Sequence, residues 1–373
     1  MPSETITKKI ELKDQHTKFM GRKILFIFFL LILVLIIAGI SATLGSYPIS
    51  VSEVYSIIFR GIPKILQNAD FIISHGINEF FRTYFTTQEV VVWNLRLPRI
   101  LMGIVAGAGL AVAGTVMQGI LRSPLASPYT LGIASAAAFG ASLAIVLGAG
   151  FVGERYIIIT NAFVFALFAS FLVYGLARYK EATPETMILA GIAMMYLFSA
   201  MTSLLQYLGS AEEVQEVVFW MFGNLEGRAS WANVIIISLV LVACVPYLLW
   251  KSWDLNAMGA GDESAKSLGV EVERVRIICM LVASLITATI ICFTGTIGFI
   301  GLVCPHMTRM VIGGDHRFLL PASGVLGAAV LLGADAVART VAAPQIVPVG
   351  IMTSFLGVPL FVYLLLRKGR RYW

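Results

Sequence analysis

Gly298-Phe299-Ile300-Gly301-Leu302-Val303-Cys304-Pro305-His306-Met307-Thr308-Arg309 closes an apolar run, free of Asp, Glu, Lys and Arg up to Thr308, that begins at Ile277. Glycine weakens a helix and Pro305 withdraws a backbone donor, so a helix through this stretch has to bend or break. A plain membrane anchor has no use for such a segment. Gly298, Gly301, Pro305 and His306 are therefore the candidates for a helix break that gates a path. At 32 residues, Ile277–Thr308 is also too long for one upright span, and it carries glycines at 295, 298 and 301. It reads as two helices.

The rest of the chain has the same character. It is 58% hydrophobic and 13% charged, against about 25% charged residues in soluble domains, and its mean hydropathy is +0.87. Uncharged runs recur at Ile24–Ser52, Ile100–Leu121, Tyr156–Ala177, Thr186–Ala211, Ala229–Trp250 and Thr340–Leu366. Each is long enough for the roughly 20 residues that cross a bilayer. A charge at mid-membrane costs about 2.5–3.5 kcal/mol on insertion scales, which explains its avoidance. The sequence thus predicts an all-α polytopic membrane protein of about ten helices: 24–44, 98–121, 128–149, 156–178, 185–208, 230–250, 275–294, 296–312, 319–339 and 346–366. Ile24–Leu44 is too long for a signal h-region and reads as a retained helix behind a polar tail.

Ten helices put both termini on one side. With that side cytoplasmic, 19 of the 27 basic residues fall inside, as the positive-inside rule requires. The expected organisation is a cytoplasmic tail (1–23), a transmembrane domain (24–366) with an extended outer segment (45–94) and a cytoplasmic loop (251–276), and a C-terminal cytoplasmic tail (367–373). The net charge of +6 follows from this topology and implies no nucleic acid. Cys244, Cys279, Cys292 and Cys304 fall in apolar helices without CxxC spacing, and four scattered histidines do not cluster, so neither metal nor cofactor is expected. His306 either senses pH or donates a structural hydrogen bond, and the structural role is the expected one.

Small residues fill the second helix, with Gly103, Gly107, Gly109 and Gly114 among them. Lipid gives helices no hydrophobic drive to associate, so close backbone contact takes its place and this helix is expected to be surrounded. Arg96 and Arg99 stand at its outer mouth, and Arg339 at the outer end of the ninth helix, four residues after Asp335. One reading is snorkelling arginines with an Asp335–Arg339 helical pair. The other, which leads, is a basic rim that receives an acidic surface.

The loop Met258-Gly259-Ala260-Gly261-Asp262-Glu263-Ser264-Ala265-Lys266-Ser267-Leu268-Gly269 is too structured for a plain connector. Asp262 is expected to cap a short helix that Gly269 ends. Such a helix, offering Met258, Ala265 and Leu268, suits a groove on a soluble partner. It is no phosphate loop, because Ala260 and Ala265 stand where that motif needs glycines.

These segments, taken in order, resemble the FecCD family of permeases in binding-protein-dependent ABC importers for iron chelates, haem and cobalamin. The match runs over about 46–368 through LRLPR (95–99), AGTVMQGILRSPLASPYTLG (113–132), FWMFGNL (219–225), MGAGDESAKSLGV (258–270), GFIGLVCPHMTR (298–309), LLGADAVART (331–340) and PVGIMTSFLGVPLFVYLL (348–365). The resemblance implies a type II ABC importer permease architecture in the cell membrane. Two copies would enclose a path, with separate ABC ATPase subunits beneath and an extracytoplasmic substrate-binding protein above. ATP hydrolysis then belongs to another chain and this one is not an enzyme. By similarity Met258, Gly259, Asp262, Ala265, Leu268 and Gly269 couple to the ATPase, and Arg96, Arg99 and Arg339 meet carboxylates of the binding protein. The expected cargo is an iron(III) chelate, siderophore or haem, with cobalamin second and an oxyanion a distant third. Two departures stand out. Ile346 replaces a frequent glutamate, and Phe71–Phe85 resembles an insertion that could lie at the interface as an amphipathic helix, touch the binding protein, or be a surface elaboration. In a different class, an ion-coupled secondary transporter would need an intramembrane acid, and Asp335 is the one clear candidate.

Overall fold

The computed structural model describes residues 2–366 apart from 46, 48, 69, 72–73, 75, 154–155, 180–182 and 344, and no side chain before residue 20 or at 77, 78, 360, 364 and 365. The expected C-terminal tail, Lys180, and Ile72, Ile73 and His75 of the outer segment lie outside the described residues.

The described chain is helical, without strands. A long first helix, α1 (Pro2–Thr43), runs through the sequence expected to be a tail. Two outer helices follow, α2 (Val51–Gln67) and α3 (Ile77–Tyr84). A helical lead-in from Thr87, with a wide turn at Val91–Arg96, enters α4 (Leu97–Leu121). Then come α5 (Ile133–Leu147), α6 (Ile157–Tyr179) and α7 (Pro184–Leu208). The short α8 (Ala211–Met221), which the sequence reading did not anticipate, precedes α9 (Trp231–Trp250). The loop helices are α10 (Ser252–Gly259) and α11 (Asp262–Ser267). The chain ends in α12 (Val272–Thr294), α13 (Ile300–Ile312), α14 (His316–Ala338) and α15 (Val349–Leu366).

Among the described residues, seven helices are long and apolar enough to cross a membrane, and α5, α13 and the described part of α15 are shorter apolar helices. Together they match the ten expected segments, with two shifts. Pro128 opens a separate turn (Pro128–Leu131), and Gly132 at φ 75° starts α5 later than residue 128. Likewise α13 begins at Ile300 rather than 296, because Gly295 (φ 72°) ends α12 and Phe299 takes the left-handed φ of 67°. A non-glycine residue in that region is uncommon; the break therefore falls at 295–299, and of the four residues expected to make it only Gly298 lies there, while Gly301, Pro305 and His306 stand inside the continuous α13.

Helix α4 is the hub. It and its neighbours α12 and α14 bury most of their surface, whereas α1, α6, α7 and α9 leave apolar sides open. The small residues explain the hub. A Cβ at Gly114 would lie 1.8 Å from the Gly301 carbonyl oxygen, so the α4–α13 backbones touch. One at Gly107 would lie 2.4 Å from the Gly327 oxygen of α14. Backbone contact of this kind packs helices where lipid supplies no hydrophobic drive.

Candidate functional site

The broken segment 295–299 is laced into its surroundings. The Tyr129 hydroxyl donates to the Ile297 carbonyl at 2.5 Å and accepts from the Ile297 amide at 2.9 Å. The Thr296 hydroxyl donates to the Met221 carbonyl at the end of α8. The Asn224 amide donates to the Thr294 carbonyl at 2.8 Å, and the Gly350 amide at the start of α15 donates to the Gly223 carbonyl at 3.2 Å. Backbone groups that a continuous helix would have paired are thus paired by neighbours, as irregular backbone at membrane depth requires.

Beside this break lies an open groove of about 830 Å³. Its polar wall is Ser135 of α5, Ser199, Thr202, Ser203 and Gln206 of α7, Thr296, and Ser354 of α15, with Tyr129 and Gly298 at the break. Phe222, Ile351, Phe355 and Val358 are among its apolar lining. Among the described residues no charged one lines it. The surface can offer hydroxyl and amide contacts to a large solute without holding it by charge. The sequence reading missed these hydroxyls. Their signal was the spacing 199, 202, 203 and 206, one face of a helix.

Of the four residues expected at the helix break, Gly298 lines the groove. Gly301 lies where α13 crosses α4: a Cβ there would meet the Leu110 carbonyl oxygen at 2.8 Å. Pro305 is buried within α13 and His306 is half-buried. Gln118 of α4 donates to the Leu302 carbonyl at 3.0 Å, in the turn before Pro305.

At one end of the bundle stands the hairpin α10–α11. Asp262 does not cap α11. Gly261, at φ 110°, holds that position without a side-chain bond. Asp262 instead accepts two hydrogen bonds from Arg276, at 2.8 and 2.9 Å, and lies 3.6 Å from Arg122. Arg276 is buried and also donates to the Ile120 carbonyl at the end of α4. Asp262 is therefore worth more to the hub than to its own helix. Met258 and Ala265 are fully buried, so of the three apolar side chains expected to be offered, only Leu268 is exposed. Gly259 has open space around it, and Gly269 ends the hairpin at φ 83°.

A second tie runs from the hairpin to α14. The Asn256 side chain accepts from the His316 amide at 2.8 Å and donates to Asp315 at 2.9 Å. Asp315 also pairs with Arg317 at 2.6 Å and lies 3.7 Å from Lys23 of α1. Burial alone would raise the Asp315 carboxyl, but the hydrogen bonds from Arg317 and Asn256 hold it well below the usual carboxylate range.

The three arginines stand at the opposite end, buried. Arg99 of α4 meets Asp335 of α14 through two nitrogens, at 2.9 and 3.0 Å. Arg339 pairs with the same carboxylate at 3.1 Å and donates to the Ser41 and Leu44 carbonyls. Arg96 donates to the Ala42 carbonyl at 2.8 Å and the Tyr47 carbonyl at 2.7 Å. The expected Asp335–Arg339 pair is present, and Arg99 joins it. None of the three arginines snorkels: they close the end of α1 and tie it to α4 and α14.

Cys244, Cys279, Cys292 and Cys304 are free and buried. Among the described residues no group of three or more His, Cys, Asp and Glu could hold a metal.

Comparison with known proteins adds the following. The model of the FecCD transport family matches residues 30–367. A protein of Methanocaldococcus jannaschii assigned as an ABC transporter permease is 42% identical over 371 residues, covering 97% of this chain and 100% of that relative. The cobalamin import system permease of Halobacterium salinarum is 42% identical over 281 residues, 75% of this chain and 74% of the relative. The hemin transport system permease of Yersinia pestis is 40% identical over 296 residues, 77% of this chain and 88% of the relative. Among solved structures, an inward-facing ABC transporter assigned to the metal-chelate type is 32% identical with a TM-score of 0.76, covering 91% of this chain and 98% of that one.

Proposed function

Because the chain belongs to the FecCD transport family, we propose that two copies face each other across the hydroxyl-lined groove and enclose the path of an ABC importer. The cargo is an iron(III) chelate, siderophore or haem. The observation that carries this reading is the groove itself: about 830 Å³, apolar with hydroxyl and amide groups and no charge among the described residues, beside a helix break. Such a wall suits a large ligand whose metal charge is already satisfied by its own chelating groups. It suits a corrinoid by the same argument, and cobalamin is the second reading, supported by the Halobacterium relative. A bare oxyanion would lose its hydration here and find no cation in exchange.

Two ATPase subunits, on separate chains, press on the α10–α11 hairpin from the cytoplasm. The exposed Leu268, Gly259 and Gly269 meet their surface. Asp262 passes the push to α12 and α4 through Arg276, and Asn256 passes it to α14. The hub helices then move against the laced segment 295–299, and the groove opens or closes. Both termini are cytoplasmic, and an extracytoplasmic binding protein docks at the arginine end. Arg96, Arg99 and Arg339 serve that docking by fixing the helix ends that form the platform. A coupling-ion role for Asp335 is disfavoured, since both its oxygens are engaged by arginines.

The test is reconstitution in proteoliposomes with the copurifying ATPase and binding protein. ATP-dependent uptake of haem or a ferric chelate is expected, and Ser354→Trp in the groove should block it while ATPase activity persists. Uptake that needs no ATP and follows an imposed ion gradient would overturn the reading in favour of a secondary transporter.

A further inference from the structure

We propose that α2 is an interfacial helix, sunk along one side into the lipid leaflet at the arginine end of the bundle. The helix divides into three sectors at 3.6 residues per turn. Val54, Ile57 and Gly61 are buried against the protein. Ser52, Glu53, Ser56, Arg60, Lys64 and Gln67 fall together on a polar sector. Val51, Tyr55, Phe59, Ile62 and Leu66 lie between these two, within an arc of about 80°, and all five are exposed. Phe59 and Leu66 are 71% and 72% exposed. A stripe of large apolar side chains at this spacing, left at least 39% exposed by the described residues, needs an occupant.

Two observations identify lipid. The first is continuity. Tyr55 reaches α1 so closely that a Cβ at Gly39 would lie 2.8 Å from its hydroxyl. Gly39 is about 6 Å from the end of α1, and it is flanked by the exposed Ile36 and Ile40. The α2 stripe therefore meets the apolar, open side of a membrane-spanning helix. The second is the order of the sectors. The polar sector beside the stripe carries Glu53 and the exposed Arg60, and Lys64 at its far edge pairs with Glu89 at 2.7 Å. The apolar stripe is thus bordered by protein on one side and by a polar face on the other, the disposition of a helix lying at a headgroup layer.

Phe71–Phe85, for which an amphipathic helix at the interface was one of three readings, turns part of its apolar side inward. Phe80, Phe81 and Phe85 are buried in an aromatic cluster with Trp93. That cluster carries α2 on the lead-in to Arg96 and Arg99, so the leaflet would steady the arginine end from outside. The proposal is independent of the transported cargo.

The experiment places a nitroxide on Phe59→Cys, Leu66→Cys or Arg60→Cys in the full-length chain. Each is reconstituted in phosphatidylcholine–phosphatidylglycerol vesicles, with the unsubstituted chain as labelling background. At 59 and 66, collisions with oxygen should exceed those with a water-soluble nickel chelate several-fold, and the order should reverse at 60. Equal access of the chelate to 59 and 60 would overturn the proposal. So would dipolar broadening between labels at 59, which would give the stripe to a second copy. Immobilisation of the label only when a substrate-binding protein is added would also overturn it.

Discussion

Asp335 is fully buried and faces two guanidinium groups, Arg99 at 2.9 Å and Arg339 at 3.1 Å, whose side chains are 10% and 5% exposed. Replacing it by Asn keeps the volume but leaves two buried cations without a counter-charge. Breaking a buried ion pair by removing one partner costs about 3–5 kcal/mol, because the remaining charge is uncompensated. Each 1.4 kcal/mol is a factor of ten, so Asp335→Asn should lower the folding equilibrium constant at least about a hundredfold. Reversible unfolding by SDS titration in mixed micelles reads this as an earlier midpoint. The control is Arg99→Met/Asp335→Leu/Arg339→Met, which removes all three charges together. Apolar replacement of a whole buried charged cluster is often neutral or stabilising, so the triple variant should regain much of the loss, less the helix-end hydrogen bonds of Arg339. An Asp335→Asn midpoint equal to wild type would refute the reasoning, for it would mean that water, rather than Asp335, satisfies the arginines.

Three further outcomes are expected. Gly114→Val should separate α4 from α13, since a Cβ there would lie 1.8 Å from the Gly301 oxygen. Overpacking costs about 1–3 kcal/mol or more, and size-exclusion profiles in detergent should lose the monodisperse peak; a wild-type profile would contradict the crossing. Asp262→Ala should free Arg276 and uncouple ATPase activity from uptake, and coupled transport at the wild-type ratio would remove Asp262 from the relay. Finally, the Asp315 carboxyl is depressed on folding by Arg317 and Asn256, against burial. Its contribution is therefore complete above the unfolded carboxylate value of about 3.9 and is lost as pH falls through the lower folded value. Below about pH 4, wild-type stability measured against pH should decline relative to Asp315→Asn; parallel curves would exclude Asp315 as a source of acid sensitivity.

Much of this molecule was legible one residue at a time. Avoidance of charge reports the bilayer directly, because each span pays its own insertion cost, so the ten segments and the split of Ile277–Thr308 followed from local composition. Gly269 as a hairpin terminus was legible for the same reason: a positive φ is a property of one residue. The Asp335–Arg339 pair was legible because four residues along a helix are neighbours whatever surrounds it.

What the sequence left open depended on partners far along the chain. Asp262 has the composition of a helix cap, but Arg276 lies within 2.8 Å and a charged partner outbids a turn's free amides. Met258 and Ala265 read as an offered apolar face until the hub helices are brought over them. Arg96 and Arg99 read as exposed because charge at a helix mouth usually is. Only the tertiary structure delivers the α1 carbonyls 54 residues away and the Asp335 carboxylate 236 residues away. The groove belongs to the same class. Its hydroxyls come from five separate parts of the chain, and no local pattern says that the Pro128–Leu131 turn, α5, α7, the 295–299 break and α15 meet. Hydropathy is a sum over single residues and so is written in the sequence. Ion pairing and cavity shape are products over pairs, and they come into being only when the helices pack.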